Sequence, residues 1–153
     1  MVKVGKKAPA FSLQDSEGKK RSLNEFLGKK IILYFYPKDN TPGCTTEACD
    51  FRDSFPRFKK DDVIVLGMSP DSYQSHAKFA DKFDLPFILL SDEKKEILQK
   101  YDVWKEKSMY GRKYMGVERT TIIIDEKGIV RKIYPKVKVN GHVEEVYKDL
   151  KEL

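Results

Sequence analysis

Hydrophobic and polar residues are arranged along this chain in blocks that predict strands and helices in turn. Continuous apolar runs are typical of strands covered on both faces, and apolar residues spaced three or four apart are typical of helices that bury one face. The predicted strands are Lys30–Tyr36, Val63–Met68, Phe87–Leu90, Trp104–Tyr110, Tyr114–Asp125 and Ile129–Tyr134. The predicted helices are one that begins at Pro42 and those over Asp71–Phe83, Glu93–Tyr101 and Gly141–Leu150.

The order of these elements predicts an α/β fold. A hairpin between Phe11 and Leu23 and a brief helix that Gly28 ends come first. The strand, helix and strand that follow predict a right-handed parallel crossover, with functional groups at the carboxyl end of the first strand. We expect an antiparallel pair between the strands Trp104–Tyr110 and Tyr114–Asp125, with a turn at Gly111 between them. We expect residues 1–153 to form a single domain, a central mixed β-sheet flanked by helices.

The segment YPKDNTPGCTTEACDFRD carries both cysteines of the chain and begins the first long helix. Thr41 is the expected N-cap and Pro42 the first helical residue, which leaves Cys44 where a capping box would hold Glu or Gln. The unpaired amides and the positive end of the helix dipole would stabilise a thiolate there. Cys44 is therefore a candidate nucleophile, with a buried structural cysteine as the open alternative.

The apolar stripe of this helix predicts which side chains face inward. Its members are Cys44, Ala48, Phe51, Phe55 and Phe58. Cys49 lies off the stripe, and Glu47 and Asp50 are expected to face solvent. Pro56 is expected to kink or end the helix near Ser54, because proline has no N–H to donate.

The separation of the two cysteines is awkward for a disulfide. Residues five apart in a helix are about 8 to 9 Å apart at Cα, with side chains about 140° apart around the axis. A disulfide needs Cα atoms within about 7 Å. Cys44 and Cys49 therefore either never bond or bond only when the helix opens locally, as in a redox switch.

The motif Pro37-x-x-x-Thr41-x-x-Cys44 resembles the active-site signature of peroxiredoxins. A second cysteine five residues later, in the same helix, is similar to the bacterioferritin-comigratory-protein (PrxQ) subfamily. The resemblance extends over essentially the whole chain. Further similar segments are Phe11–Ser12 after an Ala-Pro pair, Asp71–Lys82, Leu85–Phe87, Tyr101–Lys107 and Met115–Thr120.

The resemblance implies a thioredoxin-like fold with peroxiredoxin insertions and an atypical two-cysteine peroxidase. Cys44 would be the peroxidatic cysteine, reducing hydrogen peroxide or an alkyl hydroperoxide, and Cys49 would resolve its sulfenic acid into a disulfide. A thioredoxin-like donor would reduce that disulfide, and no metal or other cofactor is needed. Arg119 would stabilise the thiolate and the transition-state charge. Only the resemblance selects Arg119, because the sequence pattern does not distinguish it from Arg52, Arg57 or Arg112.

Two further residues of the motif have ordinary structural explanations as well as the roles that the resemblance implies. Thr41 would offer its hydroxyl to the thiolate or the bound peroxide, although capping the helix explains it about as well. Pro37 would shield the pocket, and a loop proline after a strand is the ordinary explanation.

Charge and composition limit the kinds of partner that the sequence predicts. The formal charge of +6 comes from 30 basic residues interspersed with 24 acidic ones, so no basic block predicts nucleic-acid or membrane binding. No stretch approaches the roughly 20 apolar residues of a membrane span, and no apolar signal segment follows the basic N-terminus. Two cysteines in one helix agree with a reducing compartment, so we expect a cytoplasmic protein. The resemblance favours a monomer.

Two other functions stay open at this stage. A dithiol–disulfide oxidoreductase of the thioredoxin kind would have C-x-x-C at the helix start, from which C-x-x-x-x-C departs. A basic binding module would need a salt-dependent affinity for nucleic acid. A zinc site of the cysteines with His76 and His142 lacks the close ligand pairs that zinc favours. Trp104 is expected in the core or in the wall of a pocket.

Overall fold

The computed structural model describes residues 2–153, which form a mixed β-sheet with helices on both faces. The strands are β1 (Ser12–Asp15), β2 (Lys20–Ser22), β3 (Ile31–Phe35), β4 (Ile64–Ser69), β5 (Ile88–Ser91), β6 (Trp104–Met109), β7 (Arg112–Val117), β8 (Thr120–Ile124) and β9 (Val130–Tyr134). The helices are α1 (Pro42–Lys60), α2 (Tyr73–Phe83), α3 (Glu96–Lys100) and α4 (His142–Lys151), with a short 3₁₀ helix at Leu23–Phe26.

Seven of these strands form one sheet in the order β2-β1-β5-β4-β3-β8-β9. The central pairs β3–β4 and β4–β5 are parallel, whereas β8 runs antiparallel to β3. Strands β6 and β7 pair with each other as a separate hairpin. The predicted α/β class and mixed central sheet are therefore confirmed, including the parallel crossover β3–α1–β4.

The central strands are buried on both faces because each carries a run of apolar residues without polar interruption. All five residues of β3 are buried, and their side chains alternate between two core clusters. One cluster contains Phe35 with α3 and the 3₁₀ helix, and the other contains Tyr34 with α1, α2 and α4. Helix α1 is held on the second cluster by Phe51 and Phe58, both fully buried.

Two predicted boundaries are wrong. Of the two outcomes expected at Pro56, a kink or an end, the end near Ser54 is wrong: helix α1 continues past Pro56 to Lys60, because Phe58 packs in the core and holds the last turns in place. The strand predicted over Tyr114–Asp125 is two strands, β7 and β8, separated by Glu118 and Arg119. At this break the Glu118 N–H donates to the Val103 carbonyl (2.7 Å), so the chain leaves the hairpin and enters the main sheet.

Within residues 2–153, none of the helices combines the length and the hydropathy that a membrane span needs.

Candidate active site

The loop after β3 and the first turn of α1 form the centre of the candidate site. Thr41 is the N-cap in an extended conformation and Pro42 is the first helical residue, as predicted. The first intrahelical bond runs from the Thr45 N–H to the Thr41 carbonyl (2.8 Å). The amides of Gly43 and Cys44 precede this bond, so they belong to the unpaired donors at the positive end of the helix dipole.

The Cys44 thiol lies at this helix start and is 2% exposed. Its Sγ atom accepts a hydrogen bond from Nη2 of Arg119, at 3.2 Å. Nη1 of the same guanidinium donates to Oε1 of Glu47 at 2.6 Å. The structure therefore brings together the cysteine and the arginine named from the sequence, and it adds a buried carboxylate to them.

The register of the sheet explains how Arg119 reaches the thiol. Thr120 pairs with Phe35, the last residue of β3, so the preceding Arg119 lies at the edge of the sheet where α1 begins. The Val137 N–H donates to the Arg119 carbonyl at 2.8 Å, which fixes the backbone there. A Cβ atom on Gly43 would lie 3.3 Å from Nη2 of Arg119, so a glycine at this position leaves room for the guanidinium.

Glu47 is the site residue that the sequence analysis placed wrongly. It was expected to face solvent, but its side chain is completely buried. Burial raises the pKa of Glu47 to about 7, against the opposing attraction of Arg119. A signal was available, because Glu47 follows Cys44 by three residues and so belongs to the inward face of the helix. Asp50, by contrast, is partly exposed.

Two cationic side chains act on the thiol, Arg119 from the link between β7 and β8 and Lys107 from β6. Burial opposes the charge on Arg119, but Glu47 and Cys44 raise the pKa of its guanidinium, so it stays cationic. Lys107, on β6, is also close. Burial and the nearby Arg119 lower the pKa of Lys107, while Cys44 and Glu118 oppose that change. A thiolate at Cys44 would therefore be in contact with the Arg119 guanidinium and beside the helix-start amides, with Lys107 as a second cation acting on it through space.

Thr41 and Pro37 lie in the same loop but do not contact the thiol through hydrogen bonds in this structure. The Thr41 hydroxyl donates to the Lys38 carbonyl at 3.0 Å. Donation from this hydroxyl to substrate therefore requires it to rotate away from that carbonyl, whereas its lone pairs are free to accept. Pro37 is half-buried directly after Tyr36.

Cys49 is a free thiol in the intact part of α1, partly buried and on a different side of the helix from Cys44. Arg52 lies one turn further on and donates to the Phe83 carbonyl of α2 at 2.9 Å. Because the helix is continuous from Pro42 to Lys60, the Cα atoms of the two cysteines are too far apart for a disulfide unless the helix unwinds locally.

The two histidines lie in separate surroundings rather than with the cysteines. His76 is fully buried, and its Nδ1 atom lies 2.7 Å from Oδ2 of Asp39. His142 contacts the hydroxyl of Thr121 through Nε2 at 2.8 Å. Trp104 packs partly buried against the core cluster that contains Phe35.

Comparisons with known proteins agree with this geometry. The model of the AhpC/TSA family matches residues 4–133. Peroxiredoxin Bcp of Bacillus subtilis is 48% identical over 152 residues, which cover 99% of this chain and 97% of the relative. A solved structure of peroxiredoxin Q from Xanthomonas campestris, a cysteine-to-serine mutant, superposes with a TM-score of 0.89 at 42% identity, covering 93% of this chain and 90% of that one. A PrxQ structure from Xylella fastidiosa has a TM-score of 0.94 at 36% identity, covering 99% and 97%.

Proposed function

Because this chain belongs to the AhpC/TSA family and within it to the Bcp/PrxQ peroxiredoxins, thiol-dependent peroxidases, we propose that Cys44 is its peroxidatic cysteine and Cys49 its resolving cysteine. The substrate would be hydrogen peroxide or an alkyl hydroperoxide. A thioredoxin-like dithiol protein would be the electron donor.

The observation that carries the assignment of Cys44 is its contact with Arg119 at the start of α1. The guanidinium lies 3.2 Å from the sulfur, and the unpaired amides of Gly43 and Cys44 belong to the same helix start. A guanidinium and unpaired helix-start amides are the surroundings in which reactive cysteines are found. Arg119 would also stabilise the negative charge that develops on the departing oxygen.

The first step consumes one hydroperoxide. The Cys44 thiolate attacks the terminal oxygen of the O–O bond, and the bonding electron pair of that bond goes to the other oxygen. This oxygen takes up a proton and departs as water or an alcohol, leaving Cys44 as sulfenic acid. Thr41, once its hydroxyl leaves the Lys38 carbonyl, would hydrogen-bond the peroxide, and Pro37 would shield the pocket from water.

The second step joins the two cysteines. The Cys49 thiol attacks the Cys44 sulfenic acid, a sulfur–sulfur bond forms, and water leaves. Both thiols are free in the structure and α1 is intact, so this step requires the first turns of the helix to open. The donor's two thiols then reduce the disulfide by exchange and become a disulfide themselves.

We also propose that the enzyme acts as a monomer in a reducing compartment such as the cytoplasm. Both cysteines belong to one helix, so the disulfide needs no second chain. A pair that must return to the thiol state after each turnover suits a compartment that keeps thiols reduced.

Two serine variants test the assignment of the cysteines. Cys44→Ser should abolish peroxide reduction, because only Cys44 lies beside Arg119. Cys49→Ser should reduce one equivalent of peroxide and then stop as sulfenic acid, which a dimedone adduct would detect. Equal loss of the first turnover in both variants would contradict the assignment.

A coupled assay tests the donor. NADPH oxidation is followed with thioredoxin, thioredoxin reductase and either hydrogen peroxide or cumene hydroperoxide. We expect peroxide-dependent turnover by the unaltered chain and none by Cys44→Ser. Insulin reduction without peroxide-dependent turnover would favour a general dithiol–disulfide oxidoreductase instead.

A further inference from the structure

A buried polar cluster lies beside the candidate site and has no part in the chemistry described above. Its centre is the Asp39 carboxylate, in the loop between β3 and α1, which is 8% exposed. Oδ1 accepts a hydrogen bond from the Tyr36 hydroxyl at 2.6 Å, and Oδ2 accepts from the Ser75 hydroxyl at 2.7 Å. Nδ1 of His76 also lies 2.7 Å from Oδ2, so the carboxylate is held by Tyr36, directly after β3, on one side and by α2 on the other.

The surroundings of His76 fix where its hydrogens are. Nε2 lies 2.9 Å from the Leu90 carbonyl, which can only accept, so Nε2 carries a hydrogen. Nδ1 faces Asp39 Oδ2, and a short contact between these atoms needs a shared proton. Burial opposes ionisation of Asp39, but His76, Tyr36 and Ser75 hold the pKa of the carboxyl below its usual range. The side chain of Asp39 is therefore bound to His76 as a charge-assisted pair.

Other contacts join the same loop and helix α1 to α2 and the turn that precedes it. The Asp39 N–H donates to Oδ2 of Asp71 at 2.6 Å, and Nζ of Lys82 contacts Oδ1 of Asn40 at 3.3 Å. Beyond the two cysteines, Arg52 donates to the Phe83 carbonyl, the last residue of α2. These contacts therefore lie on both sides of the segment from Thr41 to Phe51, which contains both cysteines. Those of Asp39 and Asn40 precede the segment, and that of Arg52 follows it.

We propose that His76 and Asp39 are a positioning pair for the peroxidase reaction. The pair fixes the loop that carries Pro37 and Thr41, and so sets the start of α1 against Arg119. His76 touches neither substrate nor thiol in this arrangement and acts through Asp39. The proposal rests on the proposed function of Cys44, whose reactivity it is meant to explain.

Two substitutions at position 76 separate the contact to Asp39 from the contact to Leu90. In His76→Asn the side-chain amide nitrogen is bonded to Cγ, as Nδ1 is, so it can still donate to Asp39. In His76→Gln the amide nitrogen lies one atom further out, near the place of Nε2, so it can donate to the Leu90 carbonyl but not to Asp39. Both variants remove the imidazole from the core, so they share the loss of packing.

The readout is the second-order rate of Cys44 oxidation by hydrogen peroxide in the full chain carrying Cys49→Ser, well below the melting temperature. His76→Gln should lower this rate by on the order of tenfold, less than the roughly 10²-fold that a 1 Å misplacement of reacting groups can cost. His76→Asn should stay within about threefold of its parent, because the donor to Asp39 is kept. Val130→Ala, a buried residue of β9 in the other core cluster, controls for a general loss of stability and should leave the rate unchanged.

A milder variant keeps the proposal testable should His76→Gln not fold. Ser75→Ala removes one hydroxyl donor to Asp39 Oδ2 and leaves the His76 contacts in place, so it should lower the rate by about two- to threefold. Unchanged rates in His76→Gln and Ser75→Ala, or equal losses in the asparagine and glutamine variants, would overturn the proposal. If the Cys49→Ser parent itself shows no oxidation of Cys44 by peroxide, the proposed function fails instead.

Discussion

The buried carboxylate of Glu47 makes a strong prediction about the pH dependence of stability. Glu47→Gln keeps the shape of the side chain and an oxygen that can accept from Arg119 Nη1, but it removes the titrating group. Any difference in pH dependence between the two chains then reports on Glu47. The substitution thus isolates the conflict between burial, which favours the neutral acid, and Arg119, which favours the carboxylate.

The size of the effect follows from the pKa. Burial raises the pKa of Glu47 from 4.5 to about 7 in the folded chain. Between these values the folded chain holds a proton that the unfolded chain has lost, so the free energy of unfolding falls as the pH rises. Each unit of pKa corresponds to about 1.36 kcal/mol, so across the whole window the free energy of unfolding falls by about 3 kcal/mol. This destabilisation is absent at pH values below the window and complete above it.

Urea unfolding of the reduced protein at about pH 4 and about pH 8, on either side of the window, measures this effect. The stability of Glu47→Gln relative to the unaltered chain should rise by about 3 kcal/mol from the lower to the higher pH. Glu93→Gln, at an exposed position, controls for the loss of one negative charge. A relative stability that stays constant, or that falls with pH, would show that Arg119 keeps Glu47 ionised and would refute the reasoning.

Further predictions concern Arg119 and the disulfide. Arg119→Met should lower the rate of Cys44 with peroxide by on the order of 10² or more, because one preorganised charge is lost; an unchanged rate would remove Arg119 from the site. The oxidised protein should melt at a lower temperature than the reduced one in calorimetry, because closing so small a ring constrains the unfolded chain by only about 2 kcal/mol while helix hydrogen bonds and packing are lost. A higher melting temperature on oxidation would contradict this. Hydrogen exchange should show lost protection across Pro42–Asp53 on oxidation, and protection that does not change would mean that α1 need not unwind.

The pattern of apolar residues was sufficient to predict the central strands and the start of α1. Lys30–Tyr36 and Val63–Met68 were predicted from uninterrupted apolar runs, and the structure has β3 and β4 there, parallel as expected. The N-cap at Thr41 and the inward direction of Cys44 were also correct, because capping and helical spacing are local properties of the sequence. The resemblance to PrxQ peroxiredoxins is likewise confirmed by the relatives.

The parts that were missed depend on contacts between residues far apart in sequence. The position of Arg119 follows from the pairing of Thr120 with Phe35, which helical or strand periodicity does not encode, and only the family resemblance pointed to it. Glu47 was placed outside because a charged residue is usually exposed, although its spacing from Cys44 favoured the inner face. The bond between Asp39 and His76 joins a loop to a helix 37 residues away.

The central claim is that Cys44 and Cys49 form a disulfide after Cys44 has reacted with one hydroperoxide. Mass spectrometry of the reduced protein after one equivalent of hydrogen peroxide tests this directly. We predict the loss of two hydrogen atoms and, after digestion, a linked species that contains Cys44 and Cys49, with Cys49→Ser giving a sulfenic acid at Cys44 instead. Peroxide consumed while both thiols remain free, or oxidation that begins at Cys49, would contradict the account.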